Sequence, residues 1–278
     1  MRLILLTTLT MIAFAANSVL NRLALTDGAM GPAGFAVIRL MAGAVVLSTL
    51  KWARHAERKP GGQKPGLKGA IGALSLALYM LGFSFAYVSL PAGVGALILF
   101  GGVQITMFIG AMLLREAVPP HRWLGAGLAF GGLVWLLWPS DGVTPPIAGS
   151  LLMVCAAFGW GIYSLLGRGV QDALASTTMN FLLAIPLGLL VFVILPDPIT
   201  GYGVLLALIS GGVTSGLGYA LWYQVLPQLG SSRGAVAQLT VPVIAMAGGV
   251  VFLGEGISLQ FVIASLLVLC GVAVSARR

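Results

Sequence analysis

The stretch GALILFGGVQITMFIGAMLLREAV at residues 95–118 returns as GAVAQLTVPVIAMAGGVVFLGEGI at residues 234–257. At one constant offset, Gly95 pairs with Gly234, Ala96 with Ala235, Ile105 with Ile244, Met107 with Met246, Gly110 with Gly249, Leu114 with Leu253 and Glu116 with Glu255. Leu128/Leu267 and Gly132/Gly271 continue the register. The offset of 139 residues is half of the 278-residue chain. Single matches between two Gly/Ala/Leu-rich segments carry little weight. The paired glutamates carry more, because the chain has only 7 acidic residues and both stand between two apolar runs. The chain is thus one unit written twice, residues 1–138 and residues 139–278.

Charged residues make up 8% of the chain and hydrophobic ones 59%. A soluble domain carries about 25% charge, so this composition belongs in a bilayer. Apolar runs of about 20 residues recur, the length an α-helix needs to cross the hydrocarbon core. They do not alternate as β-barrel strands do. The expected fold is an all-α integral membrane protein of ten transmembrane helices. The spans fall at about 3–25, 32–50, 69–89, 91–114, 123–138, 147–166, 177–195, 202–226, 234–253 and 258–275. The opening MRLILLTTLTMIAFAANS has the look of a signal peptide. It is read as a retained first helix, because the second half opens with a matching span.

The net charge of +8 does not point to nucleic acid. With both termini on one side, that side collects Arg2, Lys51, Arg54, Arg58, Lys59, Lys64, Lys68, Arg115, Arg122, Arg168, Arg233, Arg277 and Arg278. The opposite loops carry Asp27, Asp141, Asp197 and Glu255 and no Lys or Arg. The positive-inside rule then places both termini in the cytoplasm, in a cell inner membrane. Five spans per half force the second half to enter the membrane inverted. Inverted repeats that can exchange conformations are a transporter architecture.

Candidate path-lining residues are polar or aromatic groups inside spans. Asn17 and Asn21 share one helix face at i, i+4, as do Tyr79 and Phe83. Gln104, Trp160, Tyr163, Trp222 and Gln238 complete the set with Arg39. An aromatic-walled site with amides suits an amphipathic, zwitterionic ligand, although core packing explains any single aromatic equally well. Arg39 lies about 10 Å into its span, where a charge needs compensation. It either binds a substrate carboxylate or hydrogen-bonds groups of the first span. Arg22 can reach the outer surface towards Asp27. Pro242, in mid-span, frees the carbonyl of Gln238, either as a substrate contact or as an ordinary kink. Trp52, Trp123, Trp138 and Tyr202 suit the membrane interface. Cys155 and Cys270 are expected as small buried packing residues. Gly127/Gly131 and Gly212/Gly216 have helix-packing spacing.

The FAVIRLMAGA segment with Arg39, the Thr240-Val241-Pro242-Val243 segment and the twin LLRE and FLGE segments resemble the EamA family of the drug/metabolite transporter superfamily. The resemblance covers nearly the whole chain. It implies a basket of two five-helix units around a central cavity and, for the amino acid exporters within the family, export of aromatic and other neutral amino acids. Two features are not symmetric: Val103 stands opposite Pro242, and Thr178 opposite Arg39.

The expectation is a secondary transporter of small amphipathic metabolites, with amino acids as small-molecule substrates and the lipid bilayer as its other partner. No cofactor, metal or nucleic acid is called for, and the oligomeric state stays open, a monomer being one reading. A nucleotide-sugar or sugar-phosphate carrier would want several intramembrane cations, and only Arg39 qualifies. An intramembrane enzyme would want a nucleophile–base pair or metal ligands. No Asp, Glu or His lies deep in a span. The same absence leaves energy coupling open.

Overall fold

The structure, a computed structural model, describes residues 1–28, 30–55, 66–113, 119–138, 145–167, 170–238 and 240–275. Within these, the side chains of residues 27, 55, 111, 223, 227, 230–236 and 275 are left aside. Glu116, Asp141, Arg168 and all of the basic 56–65 loop fall outside the described residues.

The described residues form helices joined by short links: α1 (Arg2–Leu25), α2 (Pro32–His55), α3 (Leu67–Ala86), α4 (Ala92–Leu113), α5 (Pro120–Leu137), α6 (Ile147–Leu166), α7 (Ala173–Ile194), α8 (Gly201–Leu208), a π-helical segment (Ile209–Leu217), α9 (Gly218–Gln238), α10 (Thr240–Leu253) and α11 (Leu259–Ser275). With α8, the π segment and α9 forming one continuous rod, ten rods result, as the sequence leads one to expect. Seven are long and apolar enough to cross a membrane by length and composition.

Cross-links between rods show that they alternate in direction. One end of the bundle gathers Glu255, Asp197 and the start of α2; Arg54, near the end of α2, meets Asp172 just before α7 at the other. These are called below the acidic and the basic end. The helix pairings exchange between halves: α3 packs on α6 as α1 packs on α9, α4 on α6 as α1 on α10, and α2 meets α7 as α5 meets α11.

Missing side chains set these approaches. A Cβ on Gly159 would lie 2.7 Å from the Ser75 carbonyl oxygen, and one on Gly82 2.9 Å from that of Leu152, so α3 and α6 touch backbone to backbone. Gly132 and Gly271, which share a register position in the repeat, form the α5–α11 seam. Small residues of this kind let helices associate in lipid, where apolar surface alone provides little drive.

Burial tapers along the first half. From Thr10 to Leu25, α1 is largely buried, whereas its first nine residues are exposed or half-buried. Similarly, α4 is buried from Ala92 to Val103 and loosens beyond Gln104, and α3 is exposed over its first five residues and buried towards Ala86. All three are tightest at the acidic end.

Three expectations need correction. The loop placed between the eighth and ninth spans is helical: α9 runs to Gln238, and α10 is described from Thr240. The expected release of the Gln238 carbonyl by Pro242 turns on Leu239 and lies outside the described residues. Cys155 and Cys270 lie within α6 and α11 but on exposed faces, where a small apolar thiol can face lipid. Gly127 and Gly131 have nothing within 4 Å of their Cβ positions, whereas Gly212 and Gly216 do pack, against Val46. The sequence spacing is the same; only the direction each face points differs. The interfacial aromatics Trp52, Trp123, Trp138 and Tyr202 are exposed near helix ends, as anticipated.

Candidate functional site

A buried polar and aromatic cluster fills the middle of the bundle. Its wall is Phe14, Asn17 and Ser18 from α1, Tyr79 and Phe83 from α3, Leu99 and Phe100 from α4, Trp160 from α6 and Tyr219 from α9. Trp160 is the hub: its ring centroid lies 4.9 Å from Tyr79, 5.1 Å from Tyr219 and 5.5 Å from Tyr163, the last stacked at 24°. Phe83 continues the chain of rings from Tyr79 at 5.4 Å, and Phe14 joins from the other side through Tyr219 at 5.7 Å. The void left inside is about 10 Å³, room for roughly one water molecule. In this conformation the site is shut around no cargo-sized space.

Asn17 organises the polar side. Its Oδ1 accepts from Ser210 Oγ at 2.8 Å and Ser215 Oγ at 3.2 Å, and also from Thr214 Oγ1. All three hydroxyls sit on the π-helical segment. The wider turn of a π-helix brings residues four and five apart onto one face, and such segments recur at functional sites. Gly211 is required here, because a side chain would run into the Arg39 backbone carbonyl. This close approach sets the π segment against α2.

Arg39 is fully buried. Its Nε donates to Ser215 Oγ at 3.1 Å and Nη2 to Tyr79 Oη at 3.2 Å. The guanidinium carbon lies 5.0 Å from the Phe83 ring centroid and 5.6 Å from that of Tyr79, so cation–π attraction adds to the hydrogen bonds. Nη1 has no hydrogen-bond partner, and no carboxylate among the described residues forms an ion pair with it. A buried unpaired donor on a cation is costly, and the bonds that exist hold the group in place while leaving its charge unneutralised. These hydrogen-bond partners lie on α3 and the π segment rather than on the first span.

The sequence candidates divide. Asn17, Tyr79, Phe83 and Trp160 line the void. Arg39 joins them through Tyr79, Tyr163 through Trp160, and Trp222 through an edge contact to Phe14 at 5.9 Å. Tyr163 Oη donates to Thr177 Oγ1 at 3.0 Å. Asn21, one turn beyond Asn17, is fully buried; its amide donates to Ser84 Oγ at 3.1 Å and its Oδ1 is unpartnered. Gln104 is half-buried on α4 outside the wall, and Gln238 half-buried at the end of α9 outside it too. The sequence candidates did not include Ser210, Thr214 and Ser215. The one signal for them is three hydroxyls among the glycines of ISGGVTSGL in an otherwise apolar run, which by spacing looks like plain helix packing.

At the acidic end, the expected reach of Arg22 towards Asp27 falls on a side chain outside the described residues; Arg22 holds the chain after α3. Its Nη1 donates to the carbonyls of Tyr87 and Val88 at 2.9 and 2.8 Å, and its Nε stands 3.5 Å from Glu255 Oε1. Burial raises the Glu255 carboxyl above its ordinary range, against the opposing pull of the Ala92 N–H and Arg22.

A polytopic bundle of apolar helices around a closed polar and aromatic centre is the class of protein that fold and site define. The chain matches the EamA-like transporter family twice, over residues 1–138 and 147–277. It belongs to that family, within the drug/metabolite transporter superfamily. It is 43% identical over 274 residues to an uncharacterized protein of Pseudomonas aeruginosa, spanning 98% of this chain and 93% of that one. It is 25% identical over 220 residues to a "Probable amino-acid metabolite efflux pump" of Salmonella typhimurium, spanning 73% and 74% of the two chains. One solved crystal structure superposes with a TM-score of 0.66 at 23% identity, covering 96% of this chain and 98% of that one. That likeness is one of fold.

Proposed function

We propose that this chain is a secondary transporter that exports small amphipathic metabolites, aromatic and other neutral amino acids foremost. It works by alternating access between two inverted halves, residues 1–138 and 139–278, without chemical conversion of its cargo. Both termini lie in the cytoplasm of a cell inner membrane, which puts the acidic end outside.

The observation that carries this reading is Arg39, a buried cation with one free donor, fixed against Tyr79 and Phe83 of the cavity wall. When the cavity widens, that donor suits a carboxylate, while Asn17 and Ser18 supply neutral polar contacts. Trp160, Tyr79 and Tyr219 offer flat faces to an aromatic or thioether side chain. The Salmonella relative's name agrees with such cargo. A single buried cation fits one carboxylate better than a phosphate with its two charges.

The test is flux in proteoliposomes. Labelled Trp, Phe and Met should move saturably, and tryptamine and phenethylamine, which lack the carboxylate, should not. Equal movement of the amines would remove Arg39 from cargo binding. No amino acid flux in well-inserted protein would overturn the cargo class, and sugar phosphates would be assayed next. A pH gradient imposed in parallel shows whether protons are coupled.

A further inference from the structure

We infer that Asp197 and Glu255 form a two-point latch that seals the acidic end, and that cargo leaves there only when both let go.

The observation is a division of labour in helix capping. The first N–H groups of any helix need acceptors, usually a side chain just before the helix. Three second-half helices have side-chain caps of their own, although α6, after Pro146, has none: Asp172 caps α7 through Ala175 N at 3.0 Å, Thr200 caps α8 through Gly203 N at 3.1 Å, and Ser258 caps α11 through Phe261 N at 3.1 Å. The two first-half helices that start at the acidic end cannot do so. Gly31 precedes α2 and Pro91 precedes α4, and neither has a side chain that can accept.

Both caps come from the other half. Asp197, in the link between α7 and α8, accepts from Ala33 N at 2.7 Å and Gly34 N at 3.0 Å. Glu255, in the link between α10 and α11, accepts from Ala92 N through both oxygens, at 2.8 and 3.0 Å. Each carboxylate is seated in a glycine cradle: a Cβ on Gly31 would collide with Asp197, and one on Gly249 with Glu255. The Gly31 N–H also donates to the Pro198 carbonyl at 2.9 Å. Arg22 completes the Glu255 point while holding the chain after α3 through Tyr87 and Val88.

These bonds tie α1, α2, α4 and the end of α3 to two links of the second half. Opening this end by moving one half against the other breaks them, and leaves the starts of α2 and α4 uncapped until water replaces the carboxylates. The latch therefore biases the protein towards closure at the acidic end. It acts through helix ends, and its link to the cavity wall runs through Tyr87, whose ring packs edge-on against Phe83 at 4.7 Å, so it governs access rather than cargo choice.

The experiment reads access alone. Cys155 and Cys270 are replaced by Ala, and a reporter thiol is placed on the cavity wall by Ser18→Cys. It is labelled with a membrane-impermeant maleimide applied from one side of the membrane at a time. With the latch intact, the reporter thiol should react from the basic end and hardly from the acidic end. The double variant Asp197→Ala/Glu255→Ala should raise labelling from the acidic end by about tenfold or more, the size expected for losing two caps. Gly31→Ala and Gly249→Ala keep both carboxylates but fill their seats, and should act in the same direction. Unchanged acidic-end labelling in variants that insert and remain folded would overturn the latch, as would an equal rise caused by Arg54→Gln at the opposite end. Labelling needs no cargo. If access shifts but no amino acid moves, the latch stands and the cargo reading falls; if amino acids move but access does not shift, the reverse holds.

Discussion

The two ends of the bundle are built differently. At the acidic end, two carboxylates, four backbone N–H contacts at 2.7–3.0 Å and Arg22 bind the halves together. At the basic end, the ion pair found among the described residues is Arg54 with Asp172 at 3.8 Å, between side chains 51% and 34% exposed. A polar cleft of about 200 Å³ lies there between Arg2, Leu3 and Leu6 of α1 and Gln224 and Gln228 of α9. Those are the same two helices that supply Phe14, Asn17 and Tyr219 to the central cavity. Among the described residues, the bonds between the halves gather at the acidic end and a cleft lies at the basic end, with the aromatic cluster between them. On the proposed reading, cargo selection in the middle and closure at the ends are separable.

Arg39→Gln gives the largest effect that should leave this end-to-end contrast untouched. Removing a charged hydrogen-bond donor from a carboxylate should lower flux of neutral amino acids about 10- to 100-fold, while the ratio of reporter-thiol labelling from the two sides stays as it was. A change in that ratio would tie Arg39 to closure. Trp160→Ala comes next: Trp and Phe flux should fall about tenfold and Ala flux far less, again with the ratio unmoved. Uniform loss for all cargoes would make Trp160 a packing residue.

A smaller effect is expected from pH. Glu255 faces Arg22 from α1, the Ala92 N–H of α4, the Gly249 backbone of α10 and Tyr87 after α3. Closed, burial raises its pKa from the ordinary 4.5; open, in water, it reverts. The closed state then holds the proton better, so this increment of closure is complete below the ordinary value and lost as pH rises through the raised one. Labelling of the reporter thiol from the acidic end should rise a few-fold across that window, and Glu255→Gln, which does not titrate, should flatten the profile. The opposite slope would mean that the ion pair with Arg22 outweighs burial. The smallest effect belongs to Arg54→Gln. An exposed pair contributes about 0–1 kcal/mol, so flux and thermal midpoint should stay within error. A large loss would raise the basic end to a latch of equal rank.

Much was legible beforehand because membrane topology is written in local composition. Runs of apolar residues fix span length, and the family motifs run through both of the stretches that match the EamA model. Asn17, Tyr79, Phe83 and Trp160 could be picked out because a polar or aromatic group inside an apolar span is conspicuous. Gln238 met the same test and lies half-buried outside the wall, because composition does not say which face of a helix meets the cavity. Cys155 and Cys270 look buried in sequence and are not, since composition gives depth along a helix but not the direction a side chain faces.

The sequence by itself determined the class of protein, the number of crossings and the location of Arg39 inside the membrane. Those follow from the transfer energies of residues read along one helix at a time. Only the tertiary structure decided that Ser210, Thr214 and Ser215 gather on Asn17, that Arg39 keeps one donor free, and that Asp197 and Glu255 cap helices of the other half. Each of these joins residues far apart in the chain or depends on which contacts are missing. No local pattern specifies such pairings, because a carboxylate in a loop between spans has the same composition whether it faces water or a foreign helix end.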